Sequence, residues 1–246
     1  MKLSMFVSLC MAPLVVGCVD AAVETNEVSE EVATQNGLAV INGLSTQNGL
    51  STQNGLSTQN GLKDGVGWMA TSAGRDTLSY LVKCALPANH SIAKKDQYGK
   101  SYTFSGSLGV APEWETSSCG QSCQQWISAC MVAHINTAGI HVPLWVVSSQ
   151  SQIGWTLSSS YPHQEGSFFG NIFLSPPVLY YCNGRNFDVN AVPGRIGYDT
   201  STKPYVNPWG YNTYCDTYCT AADYPYASSG YKACAGYNNV FTVWRQ

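Results

Sequence analysis

The stretch CGQSCQQWISACMVAHI at residues 119–135 decides the fold, because it carries the clearest helical pattern in the chain. Its apolar side chains recur every three or four residues, which places them in one stripe facing a core. The stripe consists of Trp126, Ile127, Cys130, Met131, His134 and Ile135. Ser118 followed by Gln121 matches a capping box, and Gly139 is a suitable stop. The pattern predicts a helix near 119–138, with His134 as a core histidine.

A second helix is predicted near 72–85, with Ser72 as its cap and Pro87 as its stop. Its apolar face consists of Leu78, Leu81, Val82 and Ala85. Short runs rich in β-branched and aromatic residues predict strands. These runs are 101–105, 141–148, 153–157, 167–173, 178–182 and 241–244. We therefore predict an α+β fold: a single disulfide-stapled domain with about two helices, a small, mostly antiparallel sheet and a loop-rich carboxy-terminal third.

The predicted cysteine-rich globular domain spans residues 63–246, which is long enough to bury a sizeable core. Charged residues make up only 11% of the chain, and the formal net charge is −3. From Lys63 onward basic and acidic residues nearly balance. Since no basic patch is present, the sequence excludes a nucleic-acid partner.

The first residues are typical of an export signal. An apolar run follows Met1-Lys2 and is too short to span a bilayer comfortably. It ends in LVVGC at 14–18, which resembles the lipobox of bacterial lipoprotein precursors. The resemblance implies a signal peptide at 1–17, acylation of Cys18 with palmitate-type chains, and a lipid-anchored envelope protein. Because Val19 rather than an aspartate follows the cysteine, it also implies the outer membrane. An ordinary secretory leader is the alternative.

Residues 18–32 form an acidic segment next to the anchor, and five hexads follow at 33–62. The hexads read ATQNGL, AVINGL and then STQNGL three times. A left-handed β-helix also has a hexapeptide period, but each of its coils takes about three hexads. Five hexads therefore make fewer than two coils, and repeat architectures need about three or more stacked units. Each hexad has one leucine to bury and one turn-prone Asn-Gly. The repeats are therefore predicted to be a flexible tether.

Eight cysteines follow Cys18, and an even number in an exported chain predicts disulfides. They are Cys84, Cys119, Cys123, Cys130, Cys182, Cys215, Cys219 and Cys234. Sequence does not fix their pairing, but Cys215 with Cys219 or Cys234 is the expected local pair.

A metal site is the alternative use of four of these side chains. Cys119, Cys123, Cys130 and His134 offer four soft ligands within one short segment. Cys123, Cys130 and His134 lie on one face of the predicted helix, spread over three turns. Ligands so far apart cannot all bind one metal ion in tetrahedral geometry. We therefore predict no metal and no cofactor, and keep this quartet as the candidate metal ligands.

The start of the same helix, Cys119 to Trp126, resembles the cysteine motif of papain-like proteases. The segment NPWG at 207–210 resembles their asparagine-containing segment. The resemblance implies a nucleophilic Cys123, whose thiol a helix N-terminus would activate. The chain departs from the pattern in that Trp126 is three residues after Cys123 rather than adjacent, and no glutamine stands at the expected distance upstream.

The segment YPHQEG at 161–166 is a second candidate catalytic site. On a strand His163 and Glu165 would share a face, and a histidine–carboxylate pair can act as an oriented general base. Arg185, Asp188 and Arg195 could add a polar rim. A solvated loop is the alternative. The sequence contains no motif of the serine hydrolases, zinc proteases, haem-attachment sites, Walker loops or EF-hands.

Two functions stay open from the sequence. The first is a non-catalytic binding or structural module of the cell envelope with a glycan or peptide ligand, since Tyr and Trp stack on sugar faces. The second is an exported hydrolase that uses His163 and Glu165, or else Cys123. The missing catalytic motifs favour the first, and the sequence does not indicate the oligomeric state.

Overall fold

The structure is a computed structural model that describes residues 33–36, 67–134, 142–174, 178–185 and 214–246. Within these residues there are two α-helices, α1 (Ser72–Ala85) and α2 (Gln121–Ala133). The strands are β1 (Ala33–Asn36), β2 (Ser91–Lys95), β3 (Ser101–Ser105), β4 (Val142–Val147), β5 (His163–Asn171), β6 (Val178–Asn183), β7 (Cys219–Ala221), β8 (Tyr231–Cys234) and β9 (Phe241–Arg245). The predicted α+β class with disulfides is confirmed. Neither helix in this part of the chain has the length and hydropathy that crossing a membrane requires.

Helix α2 is the buried centre of the domain. From Trp126 to Ala133 every side chain is buried, as expected for a helix that is covered on all sides. The predicted capping box is wrong: the N-cap is Gly120, and no side chain caps the helix. The helix begins at Gln121 rather than at 119, so Ser118 lies before the position from which it could cap. The predicted continuation to 138 and the stop at Gly139 lie outside the described residues.

Helix α1 has the predicted bounds, but its cap is one residue earlier than expected. The side chain of Thr71 accepts a hydrogen bond from the Gly74 amide at 3.0 Å, which is the geometry of an N-cap. The helix ends at Ala85, and its C-cap Leu86 has an extended backbone because the following Pro87 restricts the residue that precedes it. Helix α1 packs on α2 and on the β2–β3 hairpin, of which β2 was not predicted.

Five strands form one antiparallel sheet in the order β1-β4-β9-β5-β6. Helix α2 packs on β5 and β9, where Phe168, Phe241 and Val243 join the main core. A second aromatic cluster consists of Trp145, Trp155, Tyr161 and Trp244 with Val147. The predicted strand at 153–157 is wrong, since Ile153 donates to the Gln150 carbonyl in a turn. Trp155 instead packs against the second cluster.

Four disulfides staple the domain, and all eight predicted cysteines take part. The pairs are Cys84–Cys130, Cys119–Cys123, Cys182–Cys215 and Cys219–Cys234. The expected pairing of Cys215 with Cys219 or Cys234 is wrong. Cys219 and Cys234 face each other across the β7–β8 ladder, and a bridge between Asn183 and Tyr214 brings Cys215 beside the end of β6.

The edge strand β1 comes from the first hexad of the predicted tether. It pairs with β4 antiparallel, with Ala33 opposite Trp145 and Asn36 opposite Val142. Four residues of the repeat region therefore belong to the main sheet. The other residues of the predicted tether, and Cys18, lie outside the described residues.

Candidate functional site

A groove of about 400 Å³ opens where three parts of the fold meet. One wall is the first turn of α2, the second is the end of β5 with the residues after it, and the third is the turn that follows β8. The lining residues are Gln121, Gln124, Gln125, Asn171, Leu174, Ala235, Gly236 and Tyr237. None of these eight carries a charge at neutral pH, while four of them carry side-chain amides.

Two of the amides are fixed by hydrogen bonds. Gln124 donates from Nε2 to the Cys119 carbonyl at 2.9 Å, and its Oε1 accepts from Asn171 Nδ2 at 3.0 Å. Asn171 Oδ1 in turn accepts from the Phe173 amide at 2.9 Å. Since Asn171 is only 2% exposed, this chain of amides sets the floor of the groove in one orientation.

The other two amides are available to a ligand. Gln121 is exposed and Gln125 half-buried, and neither side chain forms a hydrogen bond with a residue that the structure describes. A side-chain amide has both donor and acceptor atoms, so each can bind a hydroxyl or another amide. They lie on the rim of the groove, next to the fixed pair.

The third wall is a tight turn held in an unusual backbone conformation. Cys234 and Tyr237 exchange two backbone hydrogen bonds, of 2.9 and 2.8 Å, around Ala235 and Gly236. Both central residues have positive φ, 48° and 85°, which matches a type I′ turn. Glycine adopts this conformation readily, but alanine rarely does. The Cys219–Cys234 disulfide and the bond from the Ala235 amide to the Tyr218 carbonyl hold the turn in place.

Tyr237 supplies the aromatic surface of the groove. Its ring packs 5.8 Å from Phe169 and 5.8 Å from Tyr180, measured between ring centroids. Burial, and then the neighbouring Tyr180, raise the pKa of Tyr237 above its ordinary value. The phenol therefore stays neutral at physiological pH and can serve as a hydrogen-bond donor.

The candidate catalytic pair is not joined in the structure. His163 is exposed at the start of β5 and forms no hydrogen bond with Glu165, which is 5% exposed. The β5–β9 register shifts between Gln164 and Gly166, so Glu165 is the extra residue of a β-bulge. A bulge interrupts the alternation of faces from which a shared face was expected.

The candidate metal quartet is divided between two disulfides. Cys119 and Cys123 are bonded to each other, and Cys130 is bonded to Cys84. His134 lies beside the second bond, with Nδ1 3.8 Å from Cys130 Sγ and 2.8 Å from the Cys130 carbonyl oxygen. Its ring also packs on Tyr80, as a core histidine would. With its sulfur in a disulfide, Cys123 is not a free nucleophile in this structure.

Of the predicted polar rim, Arg185 forms an ion pair with Asp216. Its Nε and Nη2 atoms contact the carboxylate at 2.8–3.2 Å, and the Tyr231 hydroxyl donates to the same group at 2.8 Å. The hydrogen bond from Arg185 holds the pKa of Asp216 below its ordinary value. These contacts join the end of β6 to β8, and each charge has its partner, as in a structural ion pair. Asp188 and Arg195 lie outside the described residues.

Sequence reasoning missed all the groove residues except Gln121, which it assigned to a cap. The glutamines at 121, 124 and 125 form a polar run beside Trp126, and that run was the available signal. Asn171 and Tyr237 gave no such signal in the sequence, since their place in the groove depends on strand order and on the turn after β8.

Comparisons of the chain with protein-family models, with curated proteins and with solved structures find no match.

Proposed function

We propose that this chain is an exported, lipid-anchored protein whose domain binds an uncharged, hydroxyl-rich ligand in the groove, as a non-catalytic module of the cell envelope. One observation carries the binding assignment. The groove is lined by four side-chain amides, two of them available to a ligand, and by a neutral phenol beside an aromatic cluster, with no carboxylate, amine, imidazole or free thiol among its lining residues.

Neutral sugars fit this set of groups. A sugar ring has an apolar face that packs on an aromatic ring, and its hydroxyls both donate and accept hydrogen bonds. Side-chain amides meet such hydroxyls without the desolvation cost of burying a charge. The groove is also of a size that suits a small ligand or one to two residues of a larger one.

Acid–base catalysis would need a titratable group within hydrogen-bond reach of the ligand, and the groove's titratable group is the Tyr237 phenol, whose pKa is raised.

Removal of the aromatic wall tests the assignment. In a calorimetric screen of the protein against neutral oligosaccharides, Tyr237→Ala should weaken binding by about tenfold, equivalent to about 1.4 kcal/mol. Tyr237→Phe should retain most of the affinity, because it keeps the ring. Tyr98→Ala is the matched control, since Tyr98 is 86% exposed on the β2–β3 turn and does not line the groove.

The salt dependence of ligand binding distinguishes neutral hydrogen bonding and stacking from electrostatic attraction. Because the groove carries no charges, the dissociation constant should change little between low and high ionic strength. Binding confined to charged ligands, or turnover of a bound saccharide, would contradict the proposal.

The proposed anchor is supported by the sequence VVGC at 15–18. In a Gram-negative host the protein should take up labelled fatty acid and sediment with membranes, because two or three acyl chains hold firmly. Cys18→Ser should abolish labelling and release the protein or leave the precursor unprocessed. Cys10→Ser, within the apolar run, is the control and should label normally. Equal labelling of wild type and Cys18→Ser would refute the anchor.

A further inference from the structure

Two of the four disulfides lie against each other in the small aromatic core that Tyr237 packs on. The Sγ atoms of Cys182 and Cys219, one from each bond, are 3.6 Å apart, which is van der Waals contact. The Sγ atom of Cys215 lies within 4.8 Å of both. A sulfur of the Cys219–Cys234 bond is therefore close enough to react with the Cys182–Cys215 bond without a change of fold.

The four cysteines of this pair of bonds differ in their access to solvent. Cys182, Cys215 and Cys234 are at most 1% exposed, while Cys219 is half-buried. Thiol–disulfide exchange begins when a thiolate reaches a disulfide sulfur, so access decides which sulfur is attacked. Cys219 is therefore the entry point, and the Cys182–Cys215 bond is shielded from direct attack.

We propose that these four cysteines form a thiol–disulfide exchange site for an external dithiol, which enters at Cys219 and opens the buried Cys182–Cys215 bond from inside. A thiolate of the dithiol attacks Cys219 Sγ, forms a mixed disulfide and displaces Cys234 as a thiolate. The second thiol of the reagent closes its own disulfide and releases Cys219 as a thiolate. The freed Cys219 sulfur then attacks Cys182 Sγ, and Cys215 leaves.

The reaction balances in atoms and electrons. One dithiol loses two electrons and two protons and becomes a disulfide. In the protein, the Cys219–Cys234 and Cys182–Cys215 bonds break and a Cys182–Cys219 bond forms. The two protons remain on the Cys215 and Cys234 sulfurs. The product joins β6 to β7, on which Cys182 and Cys219 lie, and loses the cross-link between β7 and β8.

Loss of that cross-link acts on the groove, a consequence that rests on the proposed binding of a ligand there. The Cys219–Cys234 bond and the hydrogen bond from the Ala235 amide to the Tyr218 carbonyl hold the turn that forms the third wall. Ala235 has a φ of 48°, which alanine rarely adopts. Exchange removes the covalent restraint on this turn, so the thiol state of the site would control the shape of the groove.

Partial reduction of the full chain tests the transfer between the two bonds. The protein carries C10S and C18S, so that these two thiols do not take part. It is treated with dithiothreitol under native conditions, quenched in acid and alkylated, since acid removes the thiolate that attacks. Of the molecules in which this site is half reduced, at least about half should contain a peptide cross-linked through Cys182 and Cys219. Alkylation should then label the other two cysteines of the site.

The Cys219→Ala/Cys234→Ala variant tests the entry point. Without Cys219, reduction of the Cys182–Cys215 bond by dithiothreitol should be at least about tenfold slower than in the parent protein. A purely structural role predicts the opposite change. Loss of a disulfide destabilises the domain, and opening of a destabilised domain would expose the buried bond and speed its reduction.

The Cys119→Ala/Cys123→Ala variant is the matched control. It also lacks one disulfide, but that bond has no sulfur contact with another disulfide in the part of the chain that the structure describes. It should therefore not slow reduction of the Cys182–Cys215 bond.

Two results would overturn the proposal. One is partial reduction that leaves Cys182 bonded mainly to Cys215, since the Cys219 sulfur would then not be the attacking group. The other is reduction of the Cys182–Cys215 bond in the Cys219→Ala/Cys234→Ala variant at the parent rate or faster. Neither measurement uses a saccharide, so both results are independent of whether the groove binds one.

Discussion

Replacing Cys84 and Cys130 together with alanine should lower the free energy of unfolding by about 4 kcal/mol. This disulfide joins the last turn of α1 to the buried α2 across a separation of 46 residues. In the chain-entropy account a cross-link stabilises by restricting the unfolded chain, and its effect grows with the loop it closes. Both sulfurs lie in the main core, so alanine also removes buried volume from the contact between the helices.

The Cys119–Cys123 pair provides a matched control. Its separation is only four residues, so the same account gives about 2 kcal/mol for its loss. Urea unfolding of the two double-alanine variants against wild type measures both values. The midpoint should fall further for the Cys84/Cys130 variant, and the reverse order would show that the α1–α2 cross-link is not the dominant staple.

The elements that the sequence predicted are those whose signal is local. Helix α1 has the predicted bounds because its apolar spacing and Pro87 lie within one short segment. Strands β3, β4, β6 and β9 were located within one or two residues by their runs of β-branched and aromatic side chains. The even cysteine count predicted that all eight would be bonded.

What the sequence did not predict depends on contacts between distant segments. Strands β7 and β8 have three and four residues, too few for a periodic pattern, and they are defined by pairing with each other. The disulfide partners follow from that pairing and from the Asn183–Tyr214 bridge. A four-residue strand within a repeat gives no local signal that distinguishes it from its copies, so β1 was assigned to the tether.

The groove was missed for the same reason. Its fixed amides, Gln124 and Asn171, are 47 residues apart, and its aromatic wall is Tyr237. No local pattern brings these together. A shared face for His163 and Glu165 requires strict alternation along the strand, and the bulge at Glu165 breaks that alternation.

Trp114→Ala should lower the free energy of unfolding by about 3–5 kcal/mol, the range for removing a large aromatic side chain from a core. Trp114 is fully buried in the 3₁₀ turn Pro112–Glu115, and its ring meets Phe173 edge-on at 5.7 Å. The Phe173 amide donates to Asn171, which forms the floor of the groove. The substitution should therefore also weaken ligand binding in protein that stays folded at low temperature.

Trp114→Phe separates packing from hydrogen bonding. The indole Nε1 of Trp114 is buried and has no hydrogen-bond partner among the described residues, so phenylalanine removes an unsatisfied donor while keeping an aromatic ring against Phe173. Its cost should be smaller than that of alanine, about 1–2 kcal/mol, since only part of the volume is lost. Thermal unfolding of both variants, with saccharide binding measured on each, checks the argument. A Trp114→Ala protein as stable as Trp114→Phe, or one that binds as tightly as wild type, would show that this core contact does not support the groove.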